Sequence, residues 1–312
     1  MLIDLHCDTI SVLLKQDKAG ELRKNSLCVD IEKLRQGGSL AQFFALYVNK
    51  EKVENPFEYA MLMLDKFYQE LAANSSEIAI ARTYHEMMAN MAEGKISAFL
   101  TIEEGGVIKG KLENLRNFYR LGVRLMTLTW NYPNEIGYPN FDWEYQDQGL
   151  TAFGKEVVAE MNRLGIIIDV SHLSDQGFHD VASLSSQPFI ASHSNSRAKT
   201  NHPRNLTDDM IRILAEKGGV IGLNFAASFL GSSETSKIED MIRHAKYIYQ
   251  VGGSDVLAIG TDFDGTAPNF EIVHAGQINY LRDALAKNGF TASEIDKIWY
   301  KNSGRIIKEV CH

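Results

Sequence analysis

A closed α/β barrel of eight parallel strands, the (β/α)8 or TIM-barrel class, is predicted by three features of this sequence. Eight short apolar runs recur along the chain: "MLIDLH", "LAQFFALYV", "ISAFLTI", "GVRLMTLTW", "GIIIDVSH", "PFIASH", "GGVIGLNF" and "DVLAIGTDF". Their hydrophobicity is continuous rather than alternating, as in parallel strands buried on both faces. Amphipathic stretches of helical spacing separate them, and "RLG", "EKGG" and "QVGG" place glycine just past a helix and just before a strand, the order a β-then-α repeat requires.

The first run ends in His6 and Asp8. In a strand, residues i and i+2 share a face, so both point one way and Cys7 the other. That arrangement suits a metal, and Asp8-Thr9 before "ISVLLK" suits the N-cap of a helix equally well. The second run leads into the helical pattern "PFEYAMLMLDKFYQELA", and the third ends in Glu103 and Glu104 before "LENLRNFYRL". After the fourth comes Asn131 to Gly149, aromatic and turn-rich, a candidate substrate loop by its position after a strand. "TAFGKEVVAEMNRLG" then precedes the fifth run, which ends in Asp169 and His172, and the sixth ends in His193. "DDMIRILAEKG" and "IEDMIRHAKYIYQVG" flank the seventh run, and the eighth supplies Asp262 and Asp264. No Ser/Pro-rich linker or change of composition interrupts the series, so residues 1–312 read as one catalytic domain.

The composition narrows the ligand. With 45% hydrophobic and 23% charged residues and a net charge of −8, the chain has material for a large core. It lacks the long basic run expected of a partner for nucleic acid or an anionic membrane. No stretch has the form of a signal peptide or approaches the roughly 18 apolar residues of a membrane span. Cys7, Cys28 and Cys311 form no CxxC, and an odd number fits a reducing compartment. The expectation is a cytoplasmic protein acting on small molecules.

Chemistry in this fold sits at the carboxyl ends of the strands. Five of the eight runs end in metal-type donors: His6 and Asp8, Glu103 and Glu104, Asp169 and His172, His193, Asp262 and Asp264. Each taken singly has a structural reading as a cap or turn residue. Meeting at one rim, they suit zinc or a similar divalent ion, for which imidazole and carboxylate are the usual non-thiolate donors. They are too many for one open tetrahedral site, and a carboxylate-bridged pair of ions uses them better. His85, His179, His202, His244 and His274 lie in polar helical or loop stretches and read as solvated.

With these residues in hand, the chain resembles the membrane (renal-type) dipeptidases and their bacterial relatives, a dizinc peptidase family among the amidohydrolase-like, metal-dependent hydrolase barrels. The resemblance is carried by "DLHCDT", "TIEEGG", "YRLGVRLMTLT", "IDVSHLS", "PFIASHSNSRA", "HPRN" and "AIGTDFDG", in family order from residue 4 to about 265. It implies two Zn2+ per chain, His6 and Asp8 binding one, His172 and His193 the other, and a glutamate bridging them. The family commonly has one glutamate before Gly-Gly where this chain has two. Aligning back without a gap from "LGVR" favours Glu103, and only one of two strand neighbours can face inward. Asp262 takes the family's proton-transfer role, and Arg204 in "HPRN" matches the arginine that holds a substrate's terminal carboxylate. The chain departs from the pattern after "LTLT", where some members carry a histidine over the substrate carbonyl and this one has Trp130, followed by Asn131, a further candidate for contacting substrate. The implied activity is hydrolysis of a dipeptide by zinc-activated water. Homodimers are common among such relatives. The competing readings are a metal-dependent hydrolase of a different or cyclic amide on the same scaffold, and a catalytically silent barrel that binds a metal or peptide.

Overall fold

The computed structural model describes residues 1–16, 19–267 and 269–312. The eight apolar runs each become a strand: β1 (Leu2–Cys7), β2 (Ser39–Tyr47), then, after an intervening short β3 (Ile78–Ile80), β4 (Ile96–Glu103), β5 (Val123–Thr127), β6 (Ile167–Asp169), β7 (Ile190–Ser194), β8 (Val220–Leu223) and β9 (Leu257–Ile259). All neighbours pair in parallel. The order β1-β2-β4-β5-β6-β7-β8-β9 closes on itself through Asp4 opposite Ile259. The result is the predicted eight-stranded barrel.

β3, in "EIAIA", is the element the apolar-run pattern does not reveal. It pairs with Ile96–Ala98 at the amino end of β4, while β5 takes up pairing from Leu100 onward. A three-residue strand is too short to display a period. The helical patterns all form helices, at Pro56–Ala73, Leu112–Arg120, Ala152–Leu164, Asp208–Glu216 and Ile238–Gly252. Gly165 and Gly218 follow helix ends at φ 78° and 72°, the left-handed conformation that a residue without Cβ adopts freely. Among the described residues no helix is long and apolar enough to cross a membrane.

Strand parity divides the core. Phe44, Ala98, Ile102, Met126, Ile168, Ile221 and Ile259 join the large cluster beneath the surrounding helices. Phe43, Phe99, Leu125, Ile167, Ile190, Val220 and Ala258 form a second cluster that fills the barrel, with Phe43 stacked on Phe99 at 4.7 Å. Ile306, Ile307 and Val310 of the last helix, Asn302–Val310, join this second cluster. Above that plug the inward positions turn polar, at Thr101, Thr127, Asp169 and Ser192, all buried. A β-carbon at Gly222 or Gly260 would run into the carbonyl oxygen of Ser192, so these glycines let β7, β8 and β9 approach closely just below the strand ends.

Candidate functional site

The strand termini bring the distant donors together. His6 lies within β1, and the chain turns out of the strand at Asp8 into the helix Thr9–Lys15. Asp8 occupies the N-cap position, yet its side chain caps nothing. It lies instead 3.3 Å from His6 Nε2, so the backbone follows the capping reading and the carboxylate the site reading. Glu103, the last residue of β4, spans the cluster: Oε2 is 3.3 Å from His6 Nε2, and Oε1 is 2.9 Å from His172 Nε2 and 3.5 Å from His193 Nε2. His172 Nε2 and His193 Nε2 are 3.0 Å apart. Asp262 follows β9 in a left-handed conformation, φ 60°, and donor atoms of His6, Asp8 and Asp262 lie within 4.8 Å of one another.

These donors fit a cationic group. His6 Nδ1 and Nε2 and Asp8 Oδ1 are buried with no hydrogen-bond partner among the described residues, although Nε2 sits between two carboxylates. Buried polar atoms are normally satisfied, and an ion is a natural recipient of such lone pairs. The electrostatics agree. Burial drives the Glu103 carboxyl upward, and raises Asp262 to about 6, because charged forms are costly to desolvate. For His6 burial opposes protonation, but Glu103 and Asp8 outweigh it and its pKa rises. Burial, aided by His6 and Arg204, holds His172 and His193 well below the usual imidazole range, so their nitrogens are free to coordinate. Glu103 turns Oε2 to His6 and Oε1 to His172 and His193, and donor atoms of His6, Glu103 and His193 also lie within 4.8 Å of one another. A β-carbon at Gly265 would collide with Asp8 Oδ2 and Asp262 Oδ1, so glycine keeps that edge open.

Above the donors lies a cavity of about 390 Å³ whose lining includes Lys15, Tyr47, Trp130, Phe141, Arg204 and Phe229. Arg204 is 1% exposed and donates through Nη2 to the carbonyl of His193, while Nε and Nη1 have no hydrogen-bond partner among the described residues. Burial lowers its pKa to about 10, with Asp262 and Glu103 acting against the shift, so it remains charged at neutral pH. An unpaired buried guanidinium is costly, and a carboxylate matches its planar fork. Trp130 packs edge-on against Tyr47 at 5.0 Å. Asn131 and Phe141, from the loop after β5, also line the cavity, and Asn131 Oδ1 is 3.0 Å from His172 Nδ1.

Several residues behave otherwise than the sequence suggests. Asp169 does not face the donors. Its carboxylate accepts from Thr127, Ser171 and Ser192 below them. Asp264 accepts from Thr9 Oγ1 and Cys28 N. His244 is fully buried, accepting from Ser196 N and bonded to Leu230 O. It shares the apolar face of its helix with Met241, Ala245 and Ile248, a spacing visible in the sequence. His202 lines the cavity, with its ring 4.5 Å from Phe229. Asn224, just past β8, is a residue the sequence reading missed, and donates to Asp262 Oδ2 at 2.9 Å and to His193 O at 3.2 Å. Its only sequence signal is a polar residue ending "VIGLN".

Glu104 is fully buried at φ 89° and turned from the donors. It accepts from Gly106 N, Asn134 Nδ2 and Trp130 N, at 2.7, 2.6 and 3.3 Å. Glu104→Ala removes the acceptor these donors share, leaving Asn134 Nδ2 only Leu128 O, and is expected to lower unfolding free energy by about 1–3 kcal/mol with metal content unchanged. Urea unfolding alongside metal analysis checks this, and loss of metal at unchanged stability would move the ligand role from Glu103 to Glu104.

A closed parallel barrel with imidazoles and carboxylates converging at its carboxyl rim defines the metal-dependent hydrolase class of barrels. The model of the membrane dipeptidase family, peptidase family M19, matches residues 1–312. A metallopeptidase from Rhodobacter sphaeroides, liganded with a phosphinate mimic of the dipeptide L-Ala-D-Ala, superposes with a TM-score of 0.92 at 27% identity, covering 99% of each chain. An uncharacterized protein of Klebsiella pneumoniae, from the pqqA 5′ region, is 33% identical over 70% of this chain and 84% of its own length. An uncharacterized dipeptidase of Schizosaccharomyces pombe is 31% identical over 76% of this chain, which spans 60% of that protein's length. The chain belongs to the membrane dipeptidase family.

Proposed function

We propose that this chain is a dipeptidase that hydrolyses a dipeptide's single amide bond with two zinc ions at the barrel rim, the whole chain acting as one catalytic domain in the cytoplasm. The observation that carries the reading is the half-unpartnered, buried Arg204 guanidinium sharing one cavity with the two donor sets around Glu103. In this reading His6 and Asp8 hold one ion, His172 and His193 the other, and Glu103 bridges them. The dipeptide mimic bound by the Rhodobacter relative supports the substrate class.

When bound, the ions supply Lewis acidity and lower the pKa of an attacking water from 15.7 toward about 7. The chain's own groups do the rest. Arg204 grips the terminal carboxylate with Nε and Nη1, which fixes the amide over the donors and disfavours longer peptides. Asp262, held through Oδ2 by Asn224, keeps Oδ1 free to take a proton from the water and pass it to the leaving amine. Trp130, at the position where some members of the family carry a histidine, walls the cavity together with Tyr47. Asn131 contacts substrate while orienting His172.

Arg204→Ala is expected to raise KM for dipeptides and to erase their advantage over C-terminally amidated analogues. Steady-state kinetics on the matched pair check it, and equal losses on both would remove the carboxylate grip. The reading as a whole is tested by metal analysis with a panel of L,L and L,D dipeptides and a chelated control. Metal-dependent turnover of dipeptides is expected. Turnover of cyclic amides alone would indicate a different amidohydrolase, and binding without turnover a silent barrel.

A further inference from the structure

Asp169 remains unused by this chemistry, although it is a fully buried carboxylate directly beneath the imidazoles. Five donors reach its two oxygens. Oδ1 accepts from Ser171 N at 3.0 Å, Ser171 Oγ at 2.7 Å and Ser192 N at 2.9 Å, and Oδ2 accepts from Thr127 Oγ1 and Ser192 Oγ, both at 2.6 Å. Ser192 Oγ also lies 2.7 Å from His193 Nδ1.

We infer that Asp169, acting through Ser192, is a positioning residue that locks His193 in the tautomer presenting its Nε2 lone pair to a metal. The assignment rests on the metal-site reading above and follows from counting protons. Ser192 Oγ has three polar neighbours, Asp169 Oδ2 at 2.6 Å, His193 Nδ1 at 2.7 Å and Ser171 Oγ at 3.1 Å; the carboxylate, which only accepts, is the strongest acceptor among them and takes its single hydrogen at the length of a charge-assisted O–H···O⁻ bond. Ser192 Oγ then has only lone pairs to offer His193, whose Nδ1 must carry the hydrogen. The imidazole is therefore left with an unprotonated Nε2, the atom facing Glu103 and His172. The opposite tautomer would set the lone pairs of Ser192 Oγ and His193 Nδ1 against each other at 2.7 Å.

The same carboxylate also registers both strand ends that supply this donor set. Ser171, which donates to Asp169, accepts from His193 N at 3.1 Å, and it immediately precedes His172. Asp4 makes an instructive contrast beneath His6. It accepts from Thr261 N, Thr261 Oγ1 and His6 N, and reaches no ring nitrogen, so His6 Nδ1 stays without a partner. The relay is thus specific to the His172–His193 side.

The test uses the full chain and zinc itself, titrated in competition with a chelating indicator. Wild type is expected to bind two ions. Ser192→Ala should bind one as wild type does and the other about 10–100-fold more weakly, the usual cost of losing a partner behind a metal-bound histidine, and Ser192→Thr should restore it. Thr127→Val removes a different donor from the same Asp169 oxygen without touching His193, so it should lower the melting temperature of the metal-free protein yet leave both affinities unchanged. Wild-type zinc affinity in Ser192→Ala, or equal weakening in Thr127→Val, would overturn the relay while leaving the two-zinc reading standing. A wild-type chain that binds no zinc would overturn both.

Discussion

Asp262→Asn is expected to lower kcat by about 100-fold or more while both ions remain bound, since a positioned general acid-base group contributes on the order of 10²–10⁴. The amide preserves shape and can still meet Asn224, but it cannot take a proton from water at neutral pH. The geometry favours Asp262 for this work. One oxygen is tied to Asn224 at 2.9 Å, and its backbone sits at φ 60°, a sparsely populated conformation whose occurrence at reacting groups is common. Burial raises its pKa to about 6. Steady-state kinetics with metal analysis on the same preparation check the result. Normal turnover with full metal content would take the proton-transfer role away from Asp262.

Glu103→Ala is expected to have the larger effect on the site itself. One carboxylate lies within 3.5 Å of all three imidazoles, so its removal deletes a donor shared by both sets. Outer partners of metal ligands already cost 10–100-fold in affinity when lost, and a shared ligand should cost more than about 100-fold for at least one ion, with activity falling in step. Equilibrium dialysis against zinc measures this directly. Its contrast with Glu104→Ala is the informative comparison, because the neighbouring variant should lose stability and keep its metal. The reverse ranking would show that Glu104 is the bridge.

The convergence of these donors was legible where a polar residue abruptly ends an apolar run. His6, Glu103, His172, His193 and Asp262 all stand at such breaks, and a parallel barrel gathers strand ends at one rim. Residues that depend on side-chain direction were harder to read. Asp169 and His172 end the same run, yet Asp169 points down into the polar layer and His172 into the cavity, because the chain leaves β6 at Asp169. His202 reads as a solvated loop residue, yet its ring packs against Phe229. Asn224 has no visible role until β8 and β9 lie side by side.

Taken alone, the sequence determined the order of the eight barrel strands and the main helices between them, the closed parallel barrel, and which residue types end its strands. These follow from local periodicity and short-range turn chemistry, which neighbouring residues fix among themselves. Only the tertiary structure decided which oxygen faces which nitrogen: that Glu103 rather than Glu104 meets the imidazoles, that Asp169 reaches Ser192 and Asn224 reaches Asp262, and that part of Arg204's guanidinium stays unpaired. Those relations join residues from 23 positions apart, at Asp169 and Ser192, to 97 apart, at His6 and Glu103, and a hydrogen bond a few ångströms long is set by the register of strands closed into a ring, which no local pattern encodes.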